Sequence, residues 1–166
     1  VIDWNEIVNK YGDCVWKTAF RILNNEHDTW DCFQQTFLDT LKYSKKKRIS
    51  NYKALLTKIA TNRALDKIRQ KYRQKQLSIN DQAIEANVYT NSPLKNSLNT
   101  ELANTLVVAI TQLSQHESEI FCLKFLNEMS YDQIAESMNI KKSNVGVSIN
   151  RIKQKLQKLL SDKIKN

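Results

Sequence analysis

Only two glycines and one proline occur in 166 residues. So few turn formers argue against sandwiches, barrels and Gly-rich phosphate loops, and favour long helices. Cysteine is scarce too: Cys14, Cys32 and Cys122 are odd in number, far apart, and form no CxxC pair. A disulfide framework is therefore not expected, a cytoplasmic location is, and the thiols read as small buried or half-buried hydrophobes. With only His27 and His116, no His/Cys zinc site of ordinary spacing can be assembled. No apolar run nears the roughly 18–20 residues that span a bilayer, so membrane insertion is not expected. The chain as given opens with neither a signal-peptide pattern nor an initiator Met.

What is present is ordinary in bulk and unusual in arrangement. Hydrophobic residues make up 41% and charged residues 26%, as in a globular protein of one domain or two small ones. The net charge of +9 is concentrated in two blocks. Residues 42–75 hold thirteen basic side chains and one acidic, and residues 141–166 hold eight and one. Residues 1–41 and 101–140 are net acidic. Two separated basic blocks suit a polyanion touched at two places, although a basic block can also be a solvated helix face.

Helical spacing organises the chain. Asp3 with Glu6 opens a first helix, whose stripe includes Trp4, Ile7, Val8, Tyr11, Val15, Ala19, Ile22 and Leu23. Asn24-Asn25 breaks it. A second helix is predicted from about Asp28 to Tyr43, with Trp30, Phe33, Phe37 and Leu41 on one face. After the basic loop 44–49, a third runs from Asn51 to Gln74, capped by Ser50. Residues 76–99 are polar, hold the only proline (Pro93) and lack a period, which predicts an extended linker. The fold class is therefore all-α, with two small helical domains (1–75 and 100–166) joined by a flexible linker (76–99).

The second domain contains a helix-turn-helix pattern. A helix is expected over 101–111, and Ser114 to Glu117 is a capping box that leaves His116 exposed. A further box, Ser130 to Gln133, opens a short helix with Ile134, Ala135 and Met138 inward. Asn139 suits a left-handed turn residue, and Ile140 plugs the turn. A longer helix begins near Lys142, with Val145, Ile149, Ile152, Leu156, Leu159 and Leu160 as its stripe. At 100° per residue, Ser143, Gly146, Val147, Asn150 and Arg151 lie opposite that stripe, where a recognition helix reads base edges.

These segments resemble a known family. The stretch from Leu113 to Leu156 is similar to the promoter −35-binding domain of bacterial sigma factors of the extracytoplasmic-function group. HDTWDCFQQTFLDTLKY, followed by NYKALLTKIATNRALDKIRQKYR, resembles the group's other domain. The resemblance implies an initiation factor that binds core RNA polymerase (largest-subunit coiled coil and flap) and promoter DNA. Asp28, Asp31, Gln34, Gln35 and Leu38, with Phe37, match the polymerase-docking helix, although Phe33 and Phe37 read by themselves as core. Where the family often has two more carboxylates, this chain has Trp30 and Gln35.

Lys45, Lys46, Lys47, Arg48, Asn51, Tyr52, Lys58, Asn62, Arg63, Asp66 and Arg69 match the −10 region, which must hold melted DNA. Cations follow a single-strand backbone, and ring faces or pockets take unstacked bases. Asp66 and Arg69 also fit an intrahelical ion pair, and Tyr52 also fits the apolar stripe. Lys141, Lys142, Ser143, Asn144, Val147, Asn150 and Arg151 match the −35-reading helix. Gly146 stands where the family usually has a basic side chain, which implies weak −35 reading centred on Asn150 and Arg151. By resemblance, the linker threads through the polymerase interior. Family members are often held by an anti-sigma factor, and another recruiting protein is a further expected kind of partner.

A stand-alone helix-turn-helix regulator explains the second domain but leaves 44–73 unexplained. No enzyme and no cofactor are expected: the sequence holds no metal-spaced carboxylate cluster, no Ser/His/Asp or Cys/His set and no phosphate loop.

Overall fold

The computed structural model describes residues 2–79 and 97–164, with side chains described for 2–78 and 104–162. The order is α1 (Trp4–Leu23), α2 (Glu26–Ser44), α3 (Tyr52–Ile79), α4 (Ser97–Thr111), α5 (Gln115–Phe121), a π-helical turn (Cys122–Leu126), α6 (Tyr131–Met138) and α7 (Lys142–Ile164). There is no strand among the described residues.

Local chemistry sets the ends. The Asp3 carboxylate accepts from the amides of Asn5 (2.9 Å) and Glu6 (3.3 Å), satisfying two orphan donors of α1. Asn24 closes α1 in the left-handed conformation (φ 45°), and Asn25 accepts from the Asp28 amide to start α2. Two adjacent asparagines thus make a tight corner. They start α2 at Glu26, ahead of the expected Asp28, because the cap is Asn25. In the same way Asn51, and not Ser50, caps α3, its side chain accepting from the Ala54 amide at 3.0 Å.

The ends of the expected linker are helical. α3 continues to Ile79 and α4 begins at Ser97. Nothing between Gln74 and Ile79 is a helix breaker, so loss of the apolar stripe did not end the helix. The remainder of that linker, and the path read for it, lie outside the described residues.

α1, α2 and α3 pack as a bundle around Val15, Leu56 and Ala60, with Ile7, Tyr11, Phe33, Phe37 and Tyr52 packed against them. α2 turns an unexpected face inward. Asp28, Thr29, Cys32, Thr36 and Thr40 are its buried residues, whereas Trp30 is 49% exposed. The threonine hydroxyls donate to carbonyls four residues back (Thr29 to Asn25, Thr36 to Cys32, Thr40 to Thr36, at 2.7–2.8 Å). Satisfied within their own helix, they bury at little cost and keep α2 slim beside α3. The Cys32 thiol lies 3.6 Å from the Ala60 carbonyl on α3. The aromatic stripe runs along α1 instead, with Trp30 4.4 Å from Trp16 by ring centroids.

The two modules share a core. Ala19, Ile22, Leu23, Cys32, Ala64, Leu65 and Ile68 belong to one apolar cluster with Ala109, Ile110, Ile120, Leu123, Ile134, Val145, Ile149 and Ile152. α3 touches α4, α5, α6 and the π-helical turn, and α1 touches that turn. The sequence suggested two tethered bodies. The structure seats the second on the middle of α3, between Lys58 and Arg69, burying Leu65 and Ile68, each worth about 1.5–3 kcal/mol when fully covered.

Candidate functional site

Three surfaces carry the residues singled out in the sequence. On α2, Asp31, Gln34 and Leu38 face solvent beside Trp30. Asp28 and Gln35 do not join them. Asp28 is buried and paired to Lys67 (3.3 Å) and to Lys71 on α3. Gln35 is half-buried and donates to Asp39 at 2.8 Å, and Asp39 is held by Arg63. Lys67 also reaches Asp31 at 2.8 Å. That hydrogen bond, with the ammonium's charge, holds the Asp31 carboxyl below its usual value. Burial works against the Lys67 ammonium, yet its hydrogen bonds to Asp31 and Asp28 leave its pKa raised.

The second surface is the α2–α3 loop and α3. Lys45, Lys46, Lys47 and Arg48 are all exposed, on a turn closed by the amides of Lys46 and Lys47 donating to the Tyr43 carbonyl at 3.0 Å. Asn51 is used as the α3 cap. Tyr52 is half-buried with its ring edge-on to Trp4, as the core reading expects. Arg63 is tied to Asp39, and Asp66 is exposed.

Lys58, Asn62 and Arg69 turn to the second module. Lys58 Nζ donates to the Ser137 carbonyl at 2.9 Å, and Asn62 Nδ2 to Glu119 Oε1 at 3.1 Å. Arg69 donates to Gln115 and to the Ser118 hydroxyl, so the intrahelical Asp66–Arg69 pair is not formed. Burial pushes the Glu119 carboxyl above its usual value, opposed by Lys58 and Asn62. On the α1 side, the Thr18 hydroxyl donates to Asn127 Oδ1 (2.9 Å) and Arg21 to the Leu126 carbonyl (2.7 Å). Sequence reasoning missed this seam, because α5 and the turn after it carry no long-range signal.

The third surface is the helix-turn-helix. Both capping boxes form, and Asn139 is left-handed at φ 53°. Ala135 and Ile140 pack against the core between α6 and α7. With Val145, Ile149 and Ile152 buried, Lys141, Lys142, Ser143, Asn144, Val147, Asn150 and Arg151 are all exposed. Lys142 bonds Asp132 at 2.9 Å. Gly146 departs from the helical-wheel placement: it is half-buried against the Tyr131 ring, because the start of α6 covers that part of α7.

Cys32 and Cys122 are buried, with burial pushing their thiols up to about 11 and about 12, while Cys14 is half-buried near Thr57. Among the described residues no helix is long and apolar enough to cross a membrane, and no group of three His, Cys, Asp or Glu could hold a metal ion.

Two family models match: sigma-70 region 2 over residues 7–74 and sigma-70 region 4 over residues 103–156. The chain is 28% identical over 170 residues to the ECF RNA polymerase sigma factor SigW of Bacillus subtilis, covering 95% of this chain and 88% of that one. It is 24% identical over 158 residues to the ECF RNA polymerase sigma factor SigE of Mycolicibacterium smegmatis, covering 95% of this chain but 62% of that relative's length. In fold it is similar to the sigma factor RpoE solved in complex with the anti-sigma factor NepR from Bartonella quintana. That match has a TM-score of 0.58 and 20% identity, and covers 97% of this chain and 98% of the other.

Proposed function

The chain belongs to the sigma-70 family, in its extracytoplasmic-function group, and from that premise we propose that it directs core RNA polymerase to specific promoters. The observation that carries the reading is the pairing of two exposed cationic surfaces on separate modules. One is Lys45 to Arg48 with α3, and the other is the start of α7.

Each surface has a role suited to its chemistry. The outer face of α2 (Asp31, Gln34, Leu38) docks on the polymerase, while Asp28 and Gln35 position that helix from within. The loop cations neutralise phosphates of the melted strand, and Asn62, Arg63, Asp66 and Arg69 take the −10 element. Asn150 and Arg151 do most of the reading at −35, over phosphate contacts from Lys141 and Lys142. No catalytic step is assigned to this chain; bond formation stays with the polymerase. An anti-sigma partner, of the kind seen with the Bartonella protein, is part of the same proposal.

In vitro transcription with core polymerase on a genomic promoter library tests the reading. Start sites that appear only when the protein is added support it. A protein that leaves the transcript pattern of core enzyme unchanged overturns it.

A further inference from the structure

Val147 is 51% exposed, the one large apolar side chain left in solvent among the described residues of α7. Helix formation does not ask for valine there. It is β-branched, loses side-chain freedom in a helix, and ranks below lysine, glutamine and arginine at an exposed position. Its place is the middle of the outer face. Ser143 lies four residues before it, Asn150 three after and Arg151 four after, all exposed, so they form one row. At 1.5 Å per residue that row runs about 12 Å from Ser143 to Arg151, close to the width of a major groove. Gly146, the preceding residue, is half-buried beside the Tyr131 ring and has no side chain to hold a groove away from Val147. No residue from Ser143 to Asn150 is charged, although this stretch lies inside one of the chain's two basic blocks.

We propose that Val147 selects a thymine in the −35 element, by packing its methyls on the C5-methyl group of that base. The inference rests on the assignment of the start of α7 to −35 DNA made above, and adds to it a base that is read and the group that reads it.

The chemistry works by elimination. In the major groove guanine shows two acceptors, cytosine an amine donor, and adenine an acceptor and a donor, whereas thymine alone adds a methyl group. Valine offers neither donor nor acceptor. Set against guanine, cytosine or adenine, it takes a polar edge out of water and returns no hydrogen bond, which costs free energy. Against thymine it covers an apolar group that gains by leaving water. In a helix the valine side chain is held almost entirely in one rotamer, so its methyls arrive already placed and little entropy is lost on contact. With two uncharged helical turns around it, phosphate attraction adds nothing to what Val147 itself selects. Asn150 and Arg151 carry the donors that purine edges take, so the row reads by two different means.

A methyl scan tests this. Holoenzyme assembled from core polymerase and the full chain is titrated against the strongest promoter recovered from the genomic library. Each thymine of the −35 region is replaced in turn by deoxyuridine, which lacks the C5-methyl and keeps the same hydrogen-bonding edge. One replacement is expected to weaken binding about fourfold, the factor for burying one methyl-sized group. In holoenzyme carrying Val147→Ser, thymine and deoxyuridine at that position are expected to bind alike. Val147→Ile, which keeps the apolar contact, is expected to retain the difference. The site is exposed, so both variants keep the fold.

A −35 region without thymine, a scan in which no position responds, or a response that survives Val147→Ser overturns the inference. Arg151→Ala separates this from failure of the underlying reading. If Arg151→Ala leaves promoter affinity untouched, the assignment of α7 to −35 DNA falls, and the inference falls with it. If it weakens binding while the methyl scan is flat, only the inference falls.

Discussion

A Cβ built on Gly146 lies 3.7 Å from Cε2 of Tyr131, an ordinary van der Waals distance. Gly146 sits inside α7 with no positive φ, so the backbone does not need a glycine there. Gly146→Ala is expected to stabilise the protein by about 0.5–1 kcal/mol through helix propensity and a stiffer unfolded chain. Urea denaturation midpoints check this. A loss of stability would mean that α7 packs on α6 more tightly than the structure has it.

Asp28 and Asp31 lie one turn apart on α2 and should behave differently. Asp28 is buried between two ammonium groups of α3, so Asp28→Ala strands Lys71, leaves Lys67 to Asp31 alone, and is expected to cost about 1–3 kcal/mol. That is below the 3–5 for a fully buried pair, because the lysines are partly exposed. Asp31→Ala removes an exposed, solvent-screened carboxylate and should leave stability nearly unchanged. If α2 docks polymerase as proposed, Asp31→Ala weakens binding to core enzyme while Asp28→Ala mainly lowers stability. Fluorescence-monitored unfolding alongside a polymerase pull-down separates the two effects.

Glu119 gives a pH dependence of defined sign. Burial raises its folded pKa above the ordinary 4.5, so its charge opposes folding at neutral pH. That penalty is complete above the folded pKa, shrinks as pH falls through it, and vanishes below 4.5, where the unfolded carboxyl is protonated too. Glu119→Gln, which can still accept from Asn62, should be more stable than the parent at pH 7, with the gain disappearing on the way to pH 4. Asp31 and Glu117 act oppositely. Lys67 and Lys155 depress their pKa values, so their contributions hold above the unfolded values of 3.8 and 4.5 and fade as pH falls through the folded ones. Thermal melts of parent and variant across that range decide the matter.

The four loop cations should reveal themselves through salt. Replacing Lys45, Lys46, Lys47 and Arg48 with serine is expected to lower single-strand DNA affinity and to flatten its dependence on log salt by about 0.7 per cation lost from a phosphate. An unchanged slope would remove the loop from the DNA-binding surface.

Thiol reactivity should follow burial. Ellman's reagent is expected to label Cys14 in the native protein, and Cys32 and Cys122 only after denaturation, because both are buried with thiols pushed up to about 11 and about 12. Rapid native labelling of all three would contradict the packing around α5 and α2.

Much of this molecule is legible in its sequence where the signal is local. The Ser114 and Ser130 boxes, the Asn139 turn and the stripe of α7 stand where the residue pattern puts them. The inward face of α2 was not legible, since threonine counts as polar until its hydroxyl is seen bonded to the carbonyl four residues back. The π-helical turn at Cys122–Leu126 was also hidden, because a widened turn leaves no periodic trace over so few residues. Of the site residues, the exposed rows on the loop and α7 follow from charge and periodicity. The engagement of Lys58, Asn62 and Arg69 does not, since their partners lie some 50 to 80 positions away.

At 1.5 Å per residue, the 28 residues of α3 form a shaft about 42 Å long. Its near end abuts the lysine-rich turn, and its middle, from Lys58 to Arg69, carries α4, α5 and α6. A stiff rod fastened at its near end and at its middle transmits rotation, so a force that twists one of these points reorients whatever is bolted to the other.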